Sequence, residues 1–214
     1  MKVIEPCVFL EQEIDTDSIM RHIEKAGRVC YKSESNIAEN SAEKFIKSIL
    51  KRGHESVIEH VSITFRVVCD RGVTHEIVRH RIASYSQEST RYCNYSQDKF
   101  GNELTFIRPC FWDEDSENYE LWKTSMLDIE KNYFKLIDRG VTPQQARSIL
   151  PNSLKTEIYI TMNLREWRHF LKLRTSKAAH PQMRQVAIMI FDIFKEKLPV
   201  LFDDIDIEEQ NINM

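Results

Sequence analysis

Glycine is scarce in this chain. Only five occur in 214 residues. Neither a GxGxxG nor a GxxxxGK[ST] loop can be drawn, so any phosphate must be held mostly by side chains. Cys7, Cys30, Cys69, Cys93 and Cys110 form an odd set with no CxxC pair, which argues against a disulfide framework and against a zinc site. Cys69 ends a strand-like run and reads as a small core residue. Cys93 follows Arg91 by two positions, yet no neighbouring base marks it as a reactive thiol. No apolar run approaches the ~20 residues of a membrane span. The opening MKVIEPCVFLEQEID meets an acid at Glu5 and lacks a small-residue cleavage site, so it does not read as a signal peptide, and a cytoplasmic location is expected. A basic excess is also missing: the net charge is −3, whereas dedicated nucleic-acid binders carry a strong positive surplus. With no repeats, no low-complexity tract and no Gly/Ser linker, residues 1–214 read as one domain whose 42% apolar content suffices for a core.

Periodicity supplies the elements. KVIEPCVFL reads as a strand interrupted by Pro6. DTDSIMRHIEKAG reads as a short helix with Asp15 or Asp17 near its N-cap and Gly27 just past its end. NSAEKFIKSILKRGH is a helix with Asn40 as cap, an apolar face of Phe45, Ile46, Ile49 and Leu50, and Gly53 as the residue after it. In HVSITFRVV, Val61, Ile63, Phe65 and Val67 alternate with polar residues, as in a half-buried strand. RGVTHEIVRHR turns helical, with Val73, Ile77 and Val78 on one side, and the chain after Tyr92 reads as irregular. ELTFIRP is a strand stopped by Pro109. Trp122, Met126, Ile129, Tyr133 and Leu136 mark an amphipathic helix between Glu114 and Arg139, ended by Gly140. Thr142 caps a helix with Pro143 at its first position. KTEIYITMN is a strand, LREWRHFLKLR a helix capped by Asn163, and PQMRQVAIMIFDIFKEKLPVLF a final helix before the acidic, solvated tail DDIDIEEQ. The mixed order, without strict βαβ alternation, predicts an α+β fold with a mostly antiparallel sheet flanked by helices.

Three clusters carry chemistry. RHRIASYSQESTRY, from Arg79 to Tyr92, packs three arginines and a histidine around hydroxyl and amide side chains, with Glu88 as its only acid. Arginine presents a planar fork of donors suited to phosphate, and local clusters on a near-neutral protein suit a small anionic ligand better than a long polyanion. A charged helix end followed by a polar surface loop would have the same composition. GHESVIEH places His54, Glu55, Glu59 and His60 at a corner, but the six-residue gap between the histidines does not match HExxH, so no metal site is assigned. Arg147 and NLREWRHFLKLRTSKAAHPQ form the third group. Arg165 and His169 are four apart and share a helix face, Arg174 closes the helix, and His180 follows a small-residue loop.

An Arg-His-Arg followed by seven residues and a serine, here Arg79, His80, Arg81, IASYSQE and Ser89, resembles the signature of the flavin-dependent thymidylate synthases. RGHESVIEH resembles their HGHxSxxEH segment, and NLREWRHFLKLR their NxRxxxxFxxLR segment. ARSILP and the final helix agree as well, so the resemblance runs from about Lys44 to Leu201. The resemblance implies a homotetramer with active sites shared between subunits. It implies reductive methylation of dUMP to dTMP, with methylenetetrahydrofolate as carbon donor, NADPH as reductant and tightly bound FAD as relay. Ser56, Arg79, His80, Arg81, Gln87, Asn163, Arg165 and His169 match flavin-binding positions. Glu76, Arg79, Gln87, Glu88, Ser89, Thr90, Arg91, Arg147 and Arg174 match nucleotide-binding positions, and His54 a histidine near flavin and folate. Many members carry Asn-Glu where this chain has Ser86 and Gln87, and an apolar residue where it has Glu88. Uracil C5 becomes nucleophilic when negative charge builds on the N3/O4 side, and a permanently charged Arg174 there would stabilise it. Ser89 lacks a recognisable base and reads as a dUMP ligand rather than a nucleophile. The competing readings are a nucleotide- or RNA-binding module without catalysis, disfavoured by the absent basic excess and interleaved aromatics, and a flavin reductase, which would leave Ser89, Arg91, Arg147 and Arg174 unexplained.

Overall fold

The computed structural model describes residues 1–207, the Lys99 side chain excepted. Pro6 divides the first apolar run into β1 (Lys2–Ile4) and β2 (Cys7–Leu10). α1 (Thr16–Val29) starts at Asp15, whose carboxylate accepts the Ser18 N–H at 3.0 Å. The helix does not stop before Gly27. That glycine lies inside it because a Cβ there would sit 2.6 Å from the Phe45 ring, so it serves close helix packing rather than termination. α2 (Ser41–Lys51) follows, with Gly53 in the left-handed region at φ +72° as expected, although Asn40 makes no capping bond.

β3 (Ser62–Asp70) buries Ile63, Phe65 and Val67, the alternation read from sequence, and runs directly into α3 (Arg71–Ile77), capped by Asp70. Within RHRIASYSQESTRY the structure holds a strand that the sequence reading did not assign. α3 ends before Arg79, and Ala83–Gln87 form β4. The short polar side chains hid this strand: Ser84 and Ser86 face outward, while Ala83 and Tyr85 pack on the core. β5 (Thr105–Ile107), α4 (Glu117–Asp138), α5 (Pro143–Ala146), β6 (Lys155–Asn163) and α6 (Leu164–Arg174) lie close to the expected bounds. The final helix is two: α7 (Pro181–Lys197) and α8 (Pro199–Phe202), broken where Pro199 cannot donate to the ladder.

β2, β3, β6 and β4 form an antiparallel sheet in that order, and β1 pairs in parallel with β5. The fold is thus α+β with a mostly antiparallel sheet flanked by helices. The inner sheet face meets α1, α2, α6 and α7 around Phe65, Trp167, Phe170 and Phe194, all fully buried. A second apolar cluster under α4 gathers Leu104, Phe106, Trp122, Met126 and Tyr133. The start of the acidic tail is held rather than free: Ile205 is buried and Asp204 pairs with the buried Arg168 at 2.6 Å. Residues 208–210 of that tail lie outside the described residues. Among the described residues, no helix is long and apolar enough to cross a membrane.

Candidate active site

Strand register decides which motifs meet. β3 pairs with β6 from Ser62↔Asn163 to Asp70↔Lys155, and β4 pairs with β6 from Ala83↔Met162 to Gln87↔Ile158. The segment before β3 (His54–His60), the turn before β4 (Arg79–Arg81) and the helix after β6 (Leu164–Arg174, capped by Asn163) therefore emerge at one end of the sheet. Ser89, Thr90 and Arg91 lie beyond the opposite end of β4. Four residue steps separate Ala83 from Gln87, roughly 13 Å of strand.

At the first end, His80 is buried at 4% exposure. Its Nδ1 lies 3.0 Å from Glu166 Oε1, and its Nε2 lies 3.2 Å from Arg174 Nε. Arginine only donates, so Nε2 must carry the lone pair and Nδ1 the proton. His80 is thereby fixed as the neutral Nδ1–H tautomer. Burial pushes its pKa below the ordinary value, Glu166 opposes that shift and the Arg174 charge adds to it. Arg174 also donates from Nη1 to Glu76 Oε2 at 2.7 Å and from Nη2 to the Glu76 carbonyl at 3.0 Å. Three of its five N–H bonds are thus committed, leaving one on each terminal nitrogen without a partner among the described residues. Tyr85 secures the turn from below, its hydroxyl 2.6 Å from the His80 carbonyl and 2.9 Å from that of Ile77, with burial raising its pKa to about 12.

Asn163 caps α6, accepting the Glu166 N–H at 2.9 Å. The cap fixes the first turn of the helix and hence the carboxylate under His80. His169 is exposed beside His80, ring centroids 5.5 Å apart. The ligating atoms of His80, Glu166 and His169 fall within 4.8 Å of one another, but both nitrogens of His80 are already engaged by Glu166 and Arg174. Arg79 and Arg81 are exposed, and their side chains have no partner among the described residues. A cleft of about 380 Å³ opens at the same end of the sheet, lined by Tyr31, His54, Ser56 and Arg165 among others. In its wall the Tyr31 hydroxyl lies 3.1 Å from His54 Nδ1, and Arg165 pairs with Glu59.

Gln87 closes β4, its amide donating to Thr74 at 3.0 Å and Thr156 at 3.2 Å. At the far end, Glu88 receives Tyr95 at 2.9 Å and Lys155 at 2.8 Å. Its carboxylate is committed within the chain and anchors the turn carrying Ser89, buried Thr90 and Arg91. Arg91 donates to Gln144 at 3.2 Å, which brings the turn against α5 and the exposed Arg147 three residues on. His180 caps α7, with Nδ1 3.3 Å from the Gln182 N–H. Sequence reasoning missed Glu166, Tyr85, Thr74, Thr156, Tyr95 and Lys155. The one signal for Glu166 was its place three residues after a capping asparagine, on the buried side of an amphipathic helix; the others are cross-strand or inter-element partners with no sequence signature.

An antiparallel α+β sheet whose Arg-His-Arg turn locks onto a helix-ending arginine defines a recognisable class. The family model described as Thymidylate synthase complementing protein matches residues 14–200, and the chain belongs to that family. A flavin-dependent thymidylate synthase of Pyrococcus furiosus is 45% identical over 156 residues, 72% of this chain and 63% of that protein. The chain thus spans 63% of the length of that relative. A flavin-dependent thymidylate synthase of Geobacter sulfurreducens is 34% identical over 84% of this chain and 78% of its own length. The fold is shared with the crystal structure of a UMP/dUMP methylase from Streptomyces cacaoi bound with 5-Br dUMP, at TM-score 0.78 and 24% identity, covering 95% of this chain and 96% of that one.

Proposed function

We propose that the chain is a flavin-dependent thymidylate synthase. It converts dUMP to dTMP with methylenetetrahydrofolate as carbon donor, NADPH as reductant and FAD as bound cofactor. The observation that carries this reading is Arg174, clamped by His80 and Glu76 yet keeping one free N–H on each terminal nitrogen. That leaves a planar fork for an anionic pyrimidine edge, held without reorganisation as charge develops.

The donor set at the first end fits a flavin dinucleotide. Arg79 and Arg81, without partners among the described residues, suit its pyrophosphate, and the cleft with His54, Ser56 and Arg165 opens at the same end of the sheet. Asn163, His80 and His169 complete that side, whereas Gln87, at the far end of β4 with its amide held by Thr74 and Thr156, belongs with the nucleotide end. When bound, FAD supplies the hydride chemistry; the chain orients rings and places charge. Ser89, Thr90, Arg91 and Arg147 form the nucleotide end, with Glu88 holding their turn and Ser89 acting as ligand. Neutral His80 has no proton to give at Nε2. Its role is to accept from Arg174 and fix the fork.

The two ends of β4 are too far apart for one chain to bring all these groups to one dUMP. A homotetramer, in which the nucleotide end of one subunit meets the flavin end of another, resolves this. The likeness to named relatives supports the same reading. Visible absorption of the purified protein tests it: a flavin spectrum, bleached by NADPH, is expected, and a folded protein that neither holds nor takes up FAD would refute it.

A further inference from the structure

A second cleft, of about 430 Å³, lies between the end of α1 and α2, lined by Arg28, Ser33, Lys44, Phe45, Ser48 and Arg52 among others. Its size falls in the ~300–1,000 Å³ range of small-molecule sites. Tyr31 and Ile49 line both this cleft and the one holding His54 and Ser56, so the two adjoin. Lys44, Ser48 and Arg52 recur at steps of four and form one stripe along α2. Arg28 makes the facing wall. Its guanidinium lies 4.5 Å over the Phe45 ring and is held by buried Glu24 at 2.8 Å. Glu24 also receives Ser41 at 2.8 Å, so its charge is spent within the wall. Lys44 and Arg52 have no side-chain partner among the described residues. Two uncompensated cations with the Ser33 and Ser48 hydroxyls form a donor surface for oxyanions, on a chain whose net charge is −3. Eight residues of helix set Lys44 and Arg52 roughly 12 Å apart, a span suited to an elongated polyanion rather than to one phosphate.

We propose that the α1–α2 cleft is a subsite for the polyanionic end of a co-substrate whose reactive end enters the adjoining His54–Ser56 cleft. The inference deepens the proposed function and rests on it. The shared chemistry is a chain of phosphates or carboxylates, from either a phosphorylated nicotinamide dinucleotide or a poly-γ-glutamyl folate.

Calorimetric titration with inorganic tripolyphosphate, on protein saturated with FAD and dUMP so that their own phosphate sites are filled, tests the site directly. The double variant Lys44→Gln/Arg52→Gln should bind it at least about tenfold more weakly than the parent, as expected for loss of two charges facing one ligand. Lys47→Gln, which removes a single charge from a position of the same helix paired with Glu43, should bind as the parent does. In turnover, the double variant should keep kcat and raise KM for one co-substrate: for NADPH but not NADH if the source is the nucleotide, for triglutamyl but not monoglutamyl folate if it is the folate. Equal tripolyphosphate affinity in parent and double variant overturns the proposal, as does a KM unmoved for both co-substrates. Should the protein take up no FAD, the proposed function fails, and the same titration without FAD and dUMP still decides whether the cleft binds a polyanion.

Discussion

Arg174 shows how a single side chain is made useful by its partners. A free arginine would lose rotamer entropy on meeting a ligand; this one is already held by His80 and both oxygen types of Glu76. Arg174→Ala should lower turnover by roughly 10²–10³, about 3–4 kcal/mol, while flavin content is kept. Arg174→Lys should recover only part of this, because a point charge cannot reproduce the fork. Single-turnover kinetics beside the flavin spectrum separate the two effects. His80 adds a pH dependence. Its folded-state pKa lies below the ordinary 6.5, chiefly through burial. The neutral form is therefore favoured by folding: the contribution is complete above 6.5 and is lost as pH falls through the lower folded value. Protonation also places a hydrogen on Nε2, where the Arg174 N–H now points. Unfolding free energy measured across that window should decline with falling pH, and His80→Asn should remove that component of the slope.

At the scale of elements, two short features set the geometry. The Asn163 cap positions the first turn of α6 and with it Glu166. Asn163→Ala should cost about 1 kcal/mol in unfolding titrations, and by loosening Glu166 it should lower turnover as well. Gly27 allows α1 to approach α2, and a methyl group there meets the Phe45 ring at 2.6 Å. Gly27→Ala should destabilise by roughly 1–3 kcal/mol, the usual cost of overpacking. These elements also show what the sequence could say. Caps, periodic apolar faces and the alternation in β3 were legible because each is a local rule. β4 was not, since Ala-Ser-Tyr-Ser-Gln offers little apolar contrast and becomes a strand only through pairing with β6. Gly27 misled for a related reason: a glycine that ends a helix and one that admits a neighbouring ring look alike in one dimension.

For the whole molecule, register sorts the motif residues into two groups at opposite ends of β4. The resemblance divided the stretch between flavin (His80, Arg81) and nucleotide (Ser89, Thr90, Arg91), with Arg79 and Gln87 matched to both; the sequence could not show that the chain folds the groups onto different ends, because that depends on β4 pairing with β6. If subunits share each site, Arg81→Ala and Arg147→Ala, each inactive alone, should regain a fraction of activity when their subunits are mixed, and a mixture as inactive as its parts would count against sharing. Chromatography with light scattering should report a tetramer. The central claim is chemical, and product formation tests it most directly. With dUMP, methylenetetrahydrofolate and NADPH, the purified protein should form dTMP, resolved from dUMP by chromatography, only when FAD is bound, and Arg174→Ala should nearly abolish it. A folded, FAD-loaded protein that oxidises NADPH but leaves dUMP unmethylated would contradict the account.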